Sequence, residues 1–268
     1  MNTLTTTAAG FAPVKIMGIQ YHHARTFDGG DLYLTRYGLP FKEQLRPENW
    51  RESDWFLAHR QQLRGTSMIY RTQTKPAGGV GLDIVVRYNR VGEELPVDTL
   101  TLEKFITADF NSPFEEIAIL NELRHQRLAD GRRIIPTKKP LAVFAPPDLL
   151  HLWQTGRLES KIAQKLASYP EAQLDIRRQY IVIYGWIDGL DAVQMADHLK
   201  LAGAERETFL AETTNYVINE LAAIGFRVLD MKPAHIILRL GPDNRLRRRK
   251  NGKLLYALVD YELLDRID

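Results

Sequence analysis

Asp230-Met231-Lys232-Pro233-Ala234-His235 runs directly into the apolar triplet Ile236-Ile237-Leu238, and a second acid follows in Val259-Asp260-Tyr261-Glu262. An acid, a cation and an imidazole share one proline-containing loop ahead of a short strand, and the next strand delivers another carboxylate. Working upstream, Glu205 to Ile224 reads as a long helix stopped by Gly225, because glycine readily adopts the left-handed conformation that ends helices. The Asp230 loop is therefore expected between a long helix and a short strand.

The remainder of the chain sorts by periodicity and punctuation. Asp31 to Tyr37, Ser67 to Arg71, Leu82 to Tyr88, Pro140 to Phe144 and Tyr180 to Tyr184 read as strands, and Lys75-Pro76-Ala77-Gly78-Gly79 reads as a turn. Glu48 to Leu63 carries Trp50, Trp55, Phe56 and Leu63 at helical spacing, which predicts an amphipathic helix. A second helix starts at Ser112, with Pro113 in its first turn and Glu115 completing a capping box. This separates two adjacent glutamates. Glu115 serves the cap, whereas Glu116 shares a face with Ile119, Leu120 and Leu123 and is predicted to point inward. Asp148 to Arg178 reads as helical.

The Asp-x-Lys loop, the second acid and this helix together resemble the protein-kinase-like superfamily. The resemblance runs from about Gly65 to the end of the chain and is best from Tyr180 onward. It implies an α+β, two-lobed fold with an antiparallel β-sheet N-lobe and a mainly helical C-lobe. Residues 1–28 are expected to form a flexible tail. The N-lobe is expected over 29–183, with its C-helix at 112–128 and a helical insertion at 148–178, and the C-lobe over 184–268. The chain ends eight residues after Asp260, so the second lobe is expected to be short.

The resemblance also implies roles. Asp230 would orient the attacking hydroxyl and Lys232 would offset charge on the transferred phosphoryl group. Asp260 would hold Mg²⁺ (or Mn²⁺) across the phosphates of ATP. His235 stands where most kinases have a metal-binding Asn, although the lipopolysaccharide heptose kinases resemble this chain in carrying His there. A histidine that bonds the loop backbone is the other reading. Arg87 occupies the place of the phosphate-contacting lysine and would pair with Glu116. Gly65, Thr66 and Ser67 form a shortened echo of the glycine-rich loop, for which a plain turn is the alternative. Tyr184 and Trp186 lie in the segment whose backbone would meet adenine.

The implied function is ATP-dependent transfer of a γ-phosphate to a hydroxyl on a protein, lipid or small molecule, in an atypical bacterial kinase. The alternative is a pseudokinase that binds a nucleotide or partner, since Arg87, His235 and Glu262 depart from the family pattern. Arginine for lysine is not a conservative exchange at such a site.

Composition sets the remaining limits. The chain has 268 residues, 44% hydrophobic and 26% charged, enough for a substantial core. A net charge of +3 does not imply general affinity for nucleic acid. The absence of cysteine excludes disulfides and thiolate metal sites and fits a cytoplasmic location. No apolar run has the length of a transmembrane segment, and Met1 to Gly10 lacks the features of a signal peptide. There are no zinc patterns, nucleophile elbow or dinucleotide fingerprint, and His22-His23 is too closely spaced to share a metal. Arg245 to Lys253 is strongly basic around an Asn251-Gly252 turn, which predicts an exposed hairpin. A solvated face is its ordinary reading, with nucleic acid or anionic lipid as the alternatives.

Overall fold

A computed structural model describes residues 10–63, 67–95, 108–127 and 134–267. They divide into two compact units. One comprises the described residues up to Glu94 together with Phe110–Ala118 and Lys139–Trp186. The other comprises the described residues of Leu95–Asp109 and Ile119–Lys138 and those from Ile187 onward. The boundary between the units falls within one helix, after Ala118.

The first unit contains β1 (Ala12–Ile16), β2 (Ile19–Arg25), β3 (Asp31–Leu34), α1 (Ser53–His59), β4 (Gln61–Gln62), β5 (Ile69–Gln73) and β6 (Asp83–Tyr88). It also holds the first turns of α2 (Pro113–His125), then β7 (Pro140–Ala145), α3 (Leu152–Thr155), α4 (Glu159–Ser168) and β8 (Ile181–Gly185). Its strands form one eight-stranded sheet in the order β1-β2-β3-β7-β8-β6-β5-β4, every neighbour antiparallel. The antiparallel sheet anticipated from the sequence is present. Strands β7 and β8 are buried almost throughout, as expected of central strands covered on both faces, so their sequences read as apolar runs rather than alternations.

The two-residue period of the strands assigns the faces. Ile84 and Val86, Ala142 and Phe144, and Ile181 and Ile183 join Leu32, Leu34, Leu45 and Trp50 in one core. Trp50 packs edge-on to Phe144, with ring centroids 5.9 Å apart, and its indole N–H donates to the Leu45 carbonyl at 3.1 Å. That anchoring explains why the predicted helix over 48–63 is cut down to Ser53–His59. Arg60 is extended, and Gln61–Gln62 pair with Tyr70 and Arg71 at the sheet edge.

The expected loose tail is corrected from Ala12 onward. Residues 12–25 form the β1–β2 hairpin, and Tyr21 is fully buried with its ring 5.6 Å from Phe114 of α2. Asp31 ties this addition down by meeting His23 at 2.8 Å, Arg178 at 2.6 Å and Arg25 at 3.1 Å. Burial raises its pKa, but His23 and the arginines outweigh that and hold the carboxyl below its usual range. The helical insertion foreseen over 148–178 is interrupted. Gly156 is left-handed at φ 62° between α3 and α4, and Leu149 bridges Arg178 to close the segment.

The capping box is formed as read. The Glu115 N–H donates to Ser112 Oγ at 3.2 Å, and the Ser112 N–H donates to Glu115 Oε2 at 2.7 Å. Ser112→Ala is expected to lower stability by about 1 kcal/mol, the usual value of an N-cap hydroxyl, read as a shift in the urea midpoint at unchanged slope.

The second unit holds the later turns of α2, then β9 (Leu190–Asp191), α5 (Ala192–His198), α6 (Gly203–Ala222), β10 (Phe226–Val228), β11 (Ile236–Leu238), β12 (Tyr256–Leu258) and β13 (Leu264–Arg266). Its strands form a β12-β11-β9 sheet and a separate β10-β13 pair. At the start of β9, Gly189 has φ 137°, and a Cβ there would lie 2.6 Å from the Leu238 carbonyl oxygen. Only glycine permits that approach.

Candidate functional site

The candidate residues form two groups, one in each unit. In the first unit, Arg87 lies on the face of β6 opposite Ile84 and Val86, next to β8 (Arg87 opposite Val182). Its guanidinium is ion-paired with Glu116 of α2, at side-chain exposures of 4% and 0%. The Tyr184 hydroxyl donates to the other carboxylate oxygen of Glu116. Both carboxylate oxygens are therefore engaged, as buried polar groups require. Glu115 turns instead to the helix start and to Lys165 Nζ at 3.0 Å. The division of labour between the two glutamates is the one the capping signal predicts.

In the second unit, two antiparallel ladders carry the loop residues. Val228 opposes Leu264, and the Leu229 N–H donates to Leu263, which brings Asp230 alongside the 260–263 segment. Ile236 opposes Leu258, and the Val259 N–H donates to the His235 carbonyl at 3.1 Å. The two loops are thereby joined at both ends. His235 Nε2 lies 3.4 Å from Asp260 Oδ2, and Lys232 Nζ lies 3.3 Å from Asp230 Oδ2. The Glu262 N–H donates to Asp260 Oδ1 at 3.2 Å, while the Glu262 side chain is buried.

Helix α2 supports this group through its C-terminal half. Arg124 is fully buried and donates to the carbonyls of Thr137 and Lys138 at 2.9 and 2.8 Å. The Lys138 N–H donates to the Tyr261 hydroxyl at 2.7 Å, and that hydroxyl donates to the Leu258 carbonyl. Asp260 thus sits next to a tyrosine whose position is set from α2 and β12.

Burial raises the pKa of Asp230, the Asp260 charge raises it further, and His235 and Lys232 pull it partly back. A carboxyl poised in this way suits proton handling near a reacting hydroxyl. Its sign also matters for stability. With a folded pKa above the unfolded value, the folded state holds the proton more tightly, so stability declines as pH rises from the unfolded to the folded pKa. Asp230→Asn removes that penalty. The variant is expected to melt higher than the parent at neutral pH, and the gap should close on acidification below the ordinary aspartate range.

A divalent cation can be tested against the donors present. Among the described residues no cluster of three His, Asp or Glu forms a ready-made cage. Mg²⁺ does not need one, because it keeps water and uses one or two carboxylates with substrate phosphates. Asp260, half-exposed at 28%, fits that role. The imidazole of His235 is a better match for Mn²⁺ than for Mg²⁺, and its Nδ1 is buried without a hydrogen bond among the described residues.

Other expectations divide. The Tyr184 side chain, which the sequence cast only as backbone near adenine, is committed to Glu116. No spacing signal marks such a contact. Trp186 donates its N–H to the Asp83 carbonyl at 3.1 Å, and its ring lies under Arg71 at 4.3 Å. That amide is engaged at the end of the sheet. Gly65 and Thr66 lie outside the described residues, and Ser67 is a half-buried bend before β5. Gly78 and Gly79 both have positive φ and form the exposed turn anticipated for them.

No protein-family model matches this sequence, and no curated protein matches it. Among solved structures, a chain described as "WaaP in complex with acyl carrier protein" aligns with TM-score 0.40 and 11% identity, over 88% of this chain and 73% of that one. A match at that level assigns neither fold nor function.

Proposed function

We propose that this protein is an ATP-dependent phosphotransferase of protein-kinase-like architecture, acting on a hydroxyl of a protein, lipid or small molecule. The observation that carries the reading is the junction of two ladders that sets Asp230, with its raised pKa, beside His235 and Asp260. In-line phosphoryl transfer needs one acid to orient the hydroxyl and another to anchor the metal. Asp230 takes the first role and Asp260 the second, with Mg²⁺ or Mn²⁺ supplying charge neutralisation at the phosphates when bound. Lys232 offsets charge at the transferred group. Arg87, fixed by Glu116 and Tyr184, is the candidate for a phosphate contact.

The test is a melting curve with ATP and either cation, followed by ATP turnover. Binding at a hundredfold excess over Kd stabilises by about 2.7 kcal/mol, a rise of several degrees for a chain of this size. Stabilisation should need nucleotide and metal together, and no shift with any such combination would overturn the reading. Asp230→Asn is expected to keep that shift and lose most turnover, since it changes only the group serving the hydroxyl.

A pseudokinase is the second reading. It is favoured by the buried Glu262 beside Asp260 and by arginine in place of lysine at 87. Arg87→Lys separates the two, because an enzyme adapted to arginine should lose activity on that change. A pseudokinase should show no turnover before or after it.

A further inference from the structure

The hairpin that rises from β11 and returns to β12 has a separate property. From Arg245 to Lys253 the chain carries six cations and no acid, whereas the whole protein has a net charge of only +3, so the rest of it is net negative. The hairpin is well formed. The Arg247 N–H donates to the Arg239 carbonyl, the Leu255 N–H to Arg247 and the Arg249 N–H to Lys253, with Gly252 at φ 79° in the turn.

Two of the six cations hold the hairpin in place. The Arg249 side chain, 6% exposed, lies 3.3 Å from Glu220 of α6, and Lys253 reaches the other oxygen of Glu220 at 3.1 Å. The other four, Arg245, Arg247, Arg248 and Lys250, stand exposed. Arg248 donates to the Gly252 carbonyl at 2.9 Å and has no ion pair among the described residues. The nearest acid in sequence, Asp243, accepts the Arg245 backbone N–H. Arg245 closes the first of two consecutive tight turns and Lys250 lies in the second, with Arg247 and Arg248 on the run between them, so four exposed cations share one short excursion of the chain.

We infer that this hairpin is a docking surface for a bilayer containing anionic phospholipid. Each Lys or Arg held near such a surface is drawn to it by the negative potential of the anionic headgroups. Nucleic acid is the other polyanion to weigh. Residues 239–255 contain no aromatic side chain on which a base could stack. Among the described residues no helix is long and apolar enough to cross a membrane. An attachment made through charge is reversed by salt. The inference does not depend on the phosphotransferase reading, because vesicle binding needs no nucleotide.

The test is co-sedimentation of the full chain with vesicles of phosphatidylcholine, with and without phosphatidylglycerol. Binding is expected only with the anionic lipid and should weaken steeply as salt rises. Each cation contributes roughly fivefold to partitioning. Replacing Arg245, Arg247, Arg248 and Lys250 by Gln should therefore reduce partitioning on the order of a hundredfold to a thousandfold while the melting temperature stays unchanged. A control variant replaces Lys15, Lys42, Arg60 and Lys200 by Gln, removing the same charge elsewhere, and should lose far less. Equal loss in both variants, no binding by the parent, or preference for an oligonucleotide over vesicles at matched phosphate concentration would each overturn the inference.

Discussion

Asp260→Ala is expected to abolish metal-dependent nucleotide binding. Asp260 is the acid that the β11–β12 ladder delivers beside His235, and one of its oxygens already accepts the Glu262 N–H. Without this carboxylate the proposed site would rely on the His235 imidazole, and Mg²⁺ is a hard ion that prefers oxygen. The melting shift produced by ATP with Mg²⁺ should vanish, and saturating Mn²⁺ should restore it only weakly. The fold should survive, because the Asp260 side chain is half-exposed and the ladder on either side is made by backbone. Undiminished metal-dependent binding in Asp260→Ala would remove Asp260 from the site. The change should also lower the Asp230 pKa, since the Asp260 charge helps to raise it.

The second large effect falls on folding. Glu116→Ala should destabilise the protein by about 3–5 kcal/mol, the range seen when one partner of a buried ion pair is removed. Glu116 has no exposed side-chain surface, Arg87 is nearly as buried, and the Tyr184 hydroxyl also loses its acceptor. The penalty comes mainly from the charge left behind, so it should be largely relieved when that charge goes too. Urea unfolding of Glu116→Leu, Arg87→Met and the double variant checks this. The double variant should be more stable than the Glu116 single variant by at least 2 kcal/mol if the stranded guanidinium is the cause. Additive losses would instead mean that the two residues act separately and that the pair is incidental to packing.

Much of the site was legible because its signals are local. The Ser112–Glu115 box, the Asp-x-Lys loop ahead of Ile236-Ile237-Leu238, and the Asn251-Gly252 turn each depend on residues within a few positions of one another. Short-range hydrogen bonds and backbone preferences satisfy them in any context. Separating Glu115 from Glu116 worked for the same reason, since a filled cap leaves the next residue on the inward face. The glycine-rich echo was the weakest signal, and two of its three named residues lie outside the described chain.

What only the tertiary structure decided lies where distant segments compete for the same groups. Residues 12–25 carry no strong strand pattern, yet an open sheet edge and the Asp31 network make them part of the sheet. The helical spacing of 48–63 gave way because Trp50 gains more by burial against Phe144, and Gln61–Gln62 by pairing with β5, than a continued helix would offer. The Tyr184 hydroxyl meets Glu116 across 68 positions of chain, and Asp230 gains its raised pKa from burial and from Asp260 on another loop. The chain alone therefore determined the caps, the turns, the strand-forming runs and the types of chemical group in the loops. Which of those groups became neighbours, and so which carboxylate is poised and which arginine is clamped, was decided by long-range packing, because burial and pairing energies exist only once the fold has brought the partners together.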